Sequence, residues 1–172
     1  VYDAMKPYYK DKFGNPHSNQ HFKGWESNEA VETSREQIAS SINADPSEII
    51  FTSGATESNN LAMLGIGLKK DQQRNKVLVS SIEHKCVLSA ARYLSEQGLN
   101  IIEVPVHEIG LVDLHFLEQH LDESVLMTSL MDVNHALGTT QSTDEISELC
   151  QRVVAISTSD HAQSMHTKLF AV

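Results

Sequence analysis

Two cysteines in 172 residues, Cys86 and Cys150, stand far apart with no Cys-x-x-Cys spacing. That excludes a disulfide framework and a thiolate zinc site, and a reducing, cytoplasmic setting is the expectation. No run approaches the about 18 apolar residues that a membrane-spanning helix needs, and residues 1–12 lack the apolar stretch of a secretory signal. Basic side chains are scarce, 13 Lys and Arg against 23 Asp and Glu, for a net charge of -10. A nucleic acid or an anionic membrane surface is therefore not expected as the main partner. A Walker A loop, a Gly-x-Gly-x-x-Gly turn and a Gly-x-Ser-x-Gly elbow are all missing, which argues against P-loop, dinucleotide and serine-hydrolase chemistry. The balance of 40% hydrophobic and 21% charged residues is nevertheless that of a globular chain.

What the sequence does contain is an alternation of short apolar runs and longer helical patterns. Residues 1–24 carry Pro7, Gly14 and Pro16 among several Asn and Ser, and read as a loop segment ahead of a domain over 25–172. Residues 25–42 read as a helix with Ala30, Val31, Ile38 and Ile42 near one face. Strands are expected over 48–53, 76–81, 100–106, 124–131 and 153–158. Helices are expected between them, over 55–70, 84–97, 113–121 and 143–152. Strand–helix repetition of this kind builds right-handed βαβ units. The fold class is thus α/β, with a mostly parallel sheet and helices on both faces, since the strands are apolar throughout rather than alternating.

Open parallel sheets bind ligands beyond the carboxyl ends of their strands. The residues at those junctions are Ser53-Gly54-Ala55-Thr56-Glu57-Ser58, Ile82-Glu83-His84-Lys85, Asp132-Val133-Asn134-His135 and Ser159-Asp160-His161-Ala162-Gln163. At the first, a small turn feeds a helix whose free N–H groups could cradle an anion; an ordinary helix cap would use the same residues. His84 fits either a cap or a ring set against a planar ligand. Asp160 fits either a cap or a counter-charge for a cationic nitrogen, and Gln163 extends the same turn. His135, Asp160 and His161 lack the spacing of a standard metal site.

Three segments point further. Gly14-Asn15-Pro16-His17-Ser18, the run from Glu48 to Ala62 that contains Phe51-Thr52-Ser53-Gly54-Ala55-Thr56-Glu57-Ser58-Asn59-Asn60, and Glu83-His84-Lys85-Cys86-Val87-Leu88 resemble the cysteine desulfurases. These belong to the class V aminotransferases, pyridoxal-phosphate (PLP) enzymes of fold type I. The resemblance runs from Gly14 to Gln163 and implies a part of the cofactor-binding large domain. It implies that Ala55 and Thr56 hold the PLP phosphate, that His84 stacks on the pyridine ring and assists proton transfer, and that Asp160 pairs with the pyridinium nitrogen. It also implies that Gln163 bonds the ring's phenolic oxygen.

The sequence departs from the family in several places. Counting back from Asp160 puts His135, not Asn134, where the family has its cofactor-contacting asparagine. Thr158 stands where a histidine is usual, and His161 where a small residue is usual. The Schiff-base lysine and the persulfide-carrying cysteine are expected beyond Val172, because Lys168 lies too near Asp160 and neither Cys86 nor Cys150 matches. A segment ahead of Val1 is likewise expected to be missing.

The implied function is removal of sulfur from L-cysteine to leave L-alanine and a persulfide for iron–sulfur or thiolation pathways, with a sulfur-acceptor protein and a homodimer as partners. The chain alone is expected to be inactive, with PLP held non-covalently at best. The alternatives are a truncated or vestigial PLP- or partner-binding module, or another class V reaction such as that of selenocysteine lyase.

Overall fold

A computed structural model describes residues 2–69 and 73–162. They form two compact units that meet in sequence between Phe51 and Thr52.

The first unit holds two helices, α1 (Tyr2–Lys10) and α2 (Phe22–Ser41), and a 3-10 turn over Pro46–Glu48. The expected loop over 1–24 is thus corrected by α1. Pro7 removes one backbone donor inside it, but Asp3 in the first turn and Lys10 in the last suit the helix dipole. α2 starts at His21, whose ring accepts from the Gly24 N–H at 3.1 Å. Asp45 and Glu48 close a reciprocal capping box around the 3-10 turn. Two glycines tie the loop to the helix: a Cβ on Gly14 would strike the Lys23 carbonyl, and one on Gly24 the Ser18 carbonyl. The unit's boundary therefore falls well past residue 24.

The strand expected over 48–53 is also corrected. Ile49 has extended dihedrals, yet no described strand pairs with this segment, and Ile50 and Phe51 are exposed. Apolar β-branched residues favour an extended backbone, but a strand exists only where a neighbour completes the ladder.

In the second unit, α3 (Ala55–Gly67), α4 (Lys85–Glu96), α5 (Leu114–His120) and α6 (Thr143–Arg152) alternate with β1 (Lys76–Ser80), β2 (Asn100–Val104), β3 (Val125–Ser129) and β4 (Ile156–Thr158). The four strands are parallel, in the order β2-β1-β3-β4. The α/β class with a parallel sheet is as the sequence predicts. β1 alternates its side chains: Val77 and Val79 pack with Met63 of α3 and Val87, Ala90, Ala91 and Leu94 of α4. Leu78 points the other way, among Leu117 of α5 and Ile146, Leu149 and Cys150 of α6. Helices thus cover both faces, which is why β1 is apolar at three successive positions.

The strand order places the site. The chain runs outward from β1 to β2, then returns across β1 to β3 and continues to β4. The direction of winding reverses at β1, and the carboxyl ends of β1 and β3 diverge there into a crevice.

Candidate active site

A cleft of about 310 Å³ opens at that reversal, within the second unit. Its lining joins the α3 start (Ser53, Gly54, Ala55, Thr56 and Glu57) to His84, His135 and Asp160, with Met131, Val133 and Ala162 completing it.

The first part of the lining is the start of α3. Gly54 is its N-cap and supplies no side-chain cap, so the first N–H groups of the helix have no acceptor of their own. Gly54 has φ +157°, and a Cβ there would meet nothing; the turn is open to a ligand. The Glu57 carboxylate folds back to accept from the Ser53 N–H at 2.6 Å, and the Ser53 hydroxyl, with that N–H, holds its pKa below the ordinary value. Thr52 and Ser58 join their hydroxyls at 2.7 Å across the same turn. An anion can therefore use the helix start without displacing a neutral cap.

His84 is a cap in the structure, and the same residue lines the cleft. The ring is the N-cap of α4, its Nδ1 accepting from the Cys86 N–H at 3.3 Å and lying 3.1 Å from the Cys86 thiol. Accepting at Nδ1 leaves Nε2 to carry the proton in the neutral ring. His84 meets His135 edge-on, with ring centroids 5.7 Å apart.

The loop after β3 explains why His135 rather than Asn134 lines the cleft. Asn134 is buried; its Nδ2 donates to the Ile82 carbonyl at 3.0 Å, and its Oδ1 accepts from the Ala136 and Leu137 N–H groups, both at 2.9 Å. It builds the turn, and His135 projects from that turn.

Asp160 follows β4. Its Oδ2 accepts from Asn59 Nδ2 at 2.8 Å and its Oδ1 from the Ala162 N–H at 2.9 Å. No lysine or arginine among the described residues forms an ion pair with it. His161 turns aside to Asp132, at 3.1 Å, and no metal-binding cluster of His, Cys, Asp or Glu occurs among the described residues. Gln163 and Lys168 lie outside the described residues.

Two residues escaped the sequence reading. Asn59 stands four positions after Ala55, on the same face of α3, and that spacing was the available signal. Glu83 adjoins His84 but turns inward, 5% exposed. One of its oxygens accepts from the Met131 N–H, and the other has no partner among the described residues. Burial pushes its pKa up to about 7, the Met131 bond opposes the rise, and the charge of Asp160 adds to it.

The cleft therefore offers donors for an anion at the α3 start, the Asp160 carboxylate, which has no Lys or Arg ion pair among the described residues, and an imidazole edge. No described helix is long and apolar enough to cross a membrane.

Known proteins share this sequence and fold. The family pattern described as "Aminotransferase class-V" matches residues 1–171. The cysteine desulfurase IscS of Rickettsia typhi is 45% identical over 163 residues, which is 95% of this chain and 40% of that protein. The mitochondrial cysteine desulfurase of Drosophila melanogaster is 44% identical over 165 residues, 96% of this chain and 36% of that one. Among solved structures, a NifS-like protein superposes with a TM-score of 0.89 at 34% identity, covering 94% of this chain and 45% of its own. SspA in complex with cysteine superposes with a TM-score of 0.88 at 34% identity, covering 94% and 46%. The chain spans about 40% of the length of the curated relatives it matches. On fold and sequence together, it belongs to the class-V aminotransferase family and is a homologue of the cysteine desulfurases.

Proposed function

We propose that the chain is the cofactor-binding part of a cysteine desulfurase and that its cleft holds PLP. The observation that carries this reading is the placement of the α3 start, His84 and Asp160 around one cleft at the sheet's winding reversal.

The donor set suits the group. The N–H groups of Ala55 and Thr56 and the Thr56 hydroxyl would hold its phosphate, which the partial positive charge of the helix start favours. The His84 ring would stack on the pyridine, and the Asp160 carboxylate would pair with the pyridinium nitrogen. His135 would take the place of the family's asparagine as a donor; the resemblance adds Gln163, which lies outside the described residues. Bound PLP supplies an electron sink for carbanion chemistry at the substrate's α-carbon. Around it, Asp160 keeps the ring nitrogen protonated through its negative charge. His84, with its proton on Nε2, gives and takes protons at the reacting centre.

The proposed reaction breaks the C–S bond of L-cysteine and forms an S–S bond on an acceptor thiol. Cysteine and a thiol become alanine and a persulfide. The cysteine in the SspA structure supports that substrate. A sulfur-acceptor protein and a homodimer complete the proposal.

Titration of the purified chain with PLP, followed by absorbance and equilibrium dialysis, tests the cofactor reading. Saturable binding that inorganic phosphate competes away, and that Asp160→Ala weakens about tenfold or more, is expected. Binding that ignores phosphate, or no saturable binding, overturns it.

A further inference from the structure

We propose that Asn59 is a positioning residue that sets the Asp160 carboxylate for its cationic partner, so that the single helix α3 fixes both ends of the ligand. This rests on the PLP reading of the cleft and assigns a role to a residue that reading leaves out.

An aspartate at a strand end has free rotation about two bonds, and an unheld carboxylate samples several directions. Here both oxygens are held: Oδ1 by the Ala162 N–H at 2.9 Å and Oδ2 by Asn59 Nδ2 at 2.8 Å. The Ala162 bond is local to the same turn. The Asn59 bond comes from 101 residues away in the chain, and it is the one that registers Asp160 against the rest of the cleft. Because an ionised carboxylate only accepts, the Asn59 amide must present its nitrogen, and its orientation is settled.

The donor's neutrality matters as much as its position. A lysine or arginine at this place would also orient Asp160, but it would cancel the charge the ligand needs. An amide holds the carboxylate and leaves its full negative charge to face a cation.

Asn59 also sits on the helix whose first turn offers the anion site. Four residues of α-helix rise about 6 Å, and α3 is packed against β1 and α4 through Met63, which is buried. The anion cradle and the Asp160 clamp are therefore two points on one rigid body. A phosphate seated at Ala55 and Thr56 and a ring nitrogen seated at Asp160 are spaced by a helix rather than by independently moving loops.

The test uses the full 172-residue chain and the variants Asn59→Ala, Asp160→Ala and the double variant. Asn59→Ala is expected to weaken PLP binding about tenfold while leaving inorganic phosphate binding unchanged, and to add nothing further in the Asp160→Ala background. A helix merely loosened by the substitution would weaken phosphate binding as well. The wild-type Asn59 side-chain amide protons, followed by NMR exchange, are expected to be protected and to lose that protection in Asp160→Ala. If the wild type binds no PLP but shows this Asp160-dependent protection, the cofactor reading falls and Asn59 stands as the clamp on Asp160. PLP binding that Asn59→Ala leaves intact, or protection that does not depend on Asp160, overturns the inference.

Discussion

The two compact units use different means to hold a shape. In the unit over 52–162, large apolar side chains disappear between sheet and helices: Leu78, Leu94, Leu117 and Met127 are all fully buried. In the unit over 2–51, the large apolar residues Tyr2, Tyr9, Phe13, Phe22 and Trp25 are exposed, and Ala39 is the buried hydrophobic residue of α2. What organises that unit is backbone: the Gly14 and Gly24 approaches, the His21 cap and the Asp45–Glu48 box. The lesson is that helical periodicity alone does not make a core. Ile38 and Ile42 carry a helical apolar pattern, yet each is more than one-third exposed.

That contrast can be broken by mutation, beginning where the effect is largest. Leu94→Ala empties a site between α4 and β1, where no exposed surface can collapse inward. It is expected to cost about 2–5 kcal/mol, read as a lower urea midpoint. A loss under about 1 kcal/mol would mean that the sheet unit is as loosely packed as the first.

The second experiment concerns charge, because the sheet unit buries a carboxyl that titrates near neutrality. Glu83 rises from 4.5 to about 7 on folding. Below pH 4.5 it is neutral in both states and costs nothing. As pH climbs from 4.5 through 7, the unfolded chain releases a proton that the folded chain retains, so stability falls and then levels off above 7. One pKa unit corresponds to about 1.4 kcal/mol, so the full penalty is on the order of 3 kcal/mol. Glu83→Gln removes it. The gain in urea midpoint over wild type is expected to widen between pH 5 and pH 8, and a gain independent of pH would contradict the assignment.

Third, Gly24→Ala tests the first unit by its own rule. The added methyl meets the Ser18 carbonyl, which is backbone and cannot swing away. Overpacking of this kind costs about 1–3 kcal/mol. The expected result is faster proteolysis within residues 2–51, with the sheet unit's transition unmoved. Equal loss in both units would show that they do not differ as described.

The sequence made these regions unequally legible. The sheet unit's helices and its four described strands follow from apolar runs punctuated by Gly, Asp and Ser, because burial on both faces leaves a direct mark on composition. The supposed strand over 48–53 carries the same mark, since Ile49, Ile50 and Phe51 suit an extended chain, but its pairing partner is not encoded locally. α1 was hidden by Pro7, which usually signals a loop. At the cleft, Ala55, Thr56, His84, His135 and Asp160 could be proposed because each lies at a junction after a strand that the sequence predicts, although the one ahead of Ala55 does not form. Asn59 and Glu83 could not, for their roles depend on Asp160 and Met131, which the fold brings to them from distant parts of the chain.

The Asn59–Asp160 bond spans 101 residues, and this has a consequence for how the molecule matures. Asp160 reaches α3 only on the end of β4, which pairs with β3 and through it with β1. The clamp therefore needs those three strands aligned. A ligand that needs both the α3 start and a clamped Asp160 selects molecules whose sheet is assembled from those in which it is not.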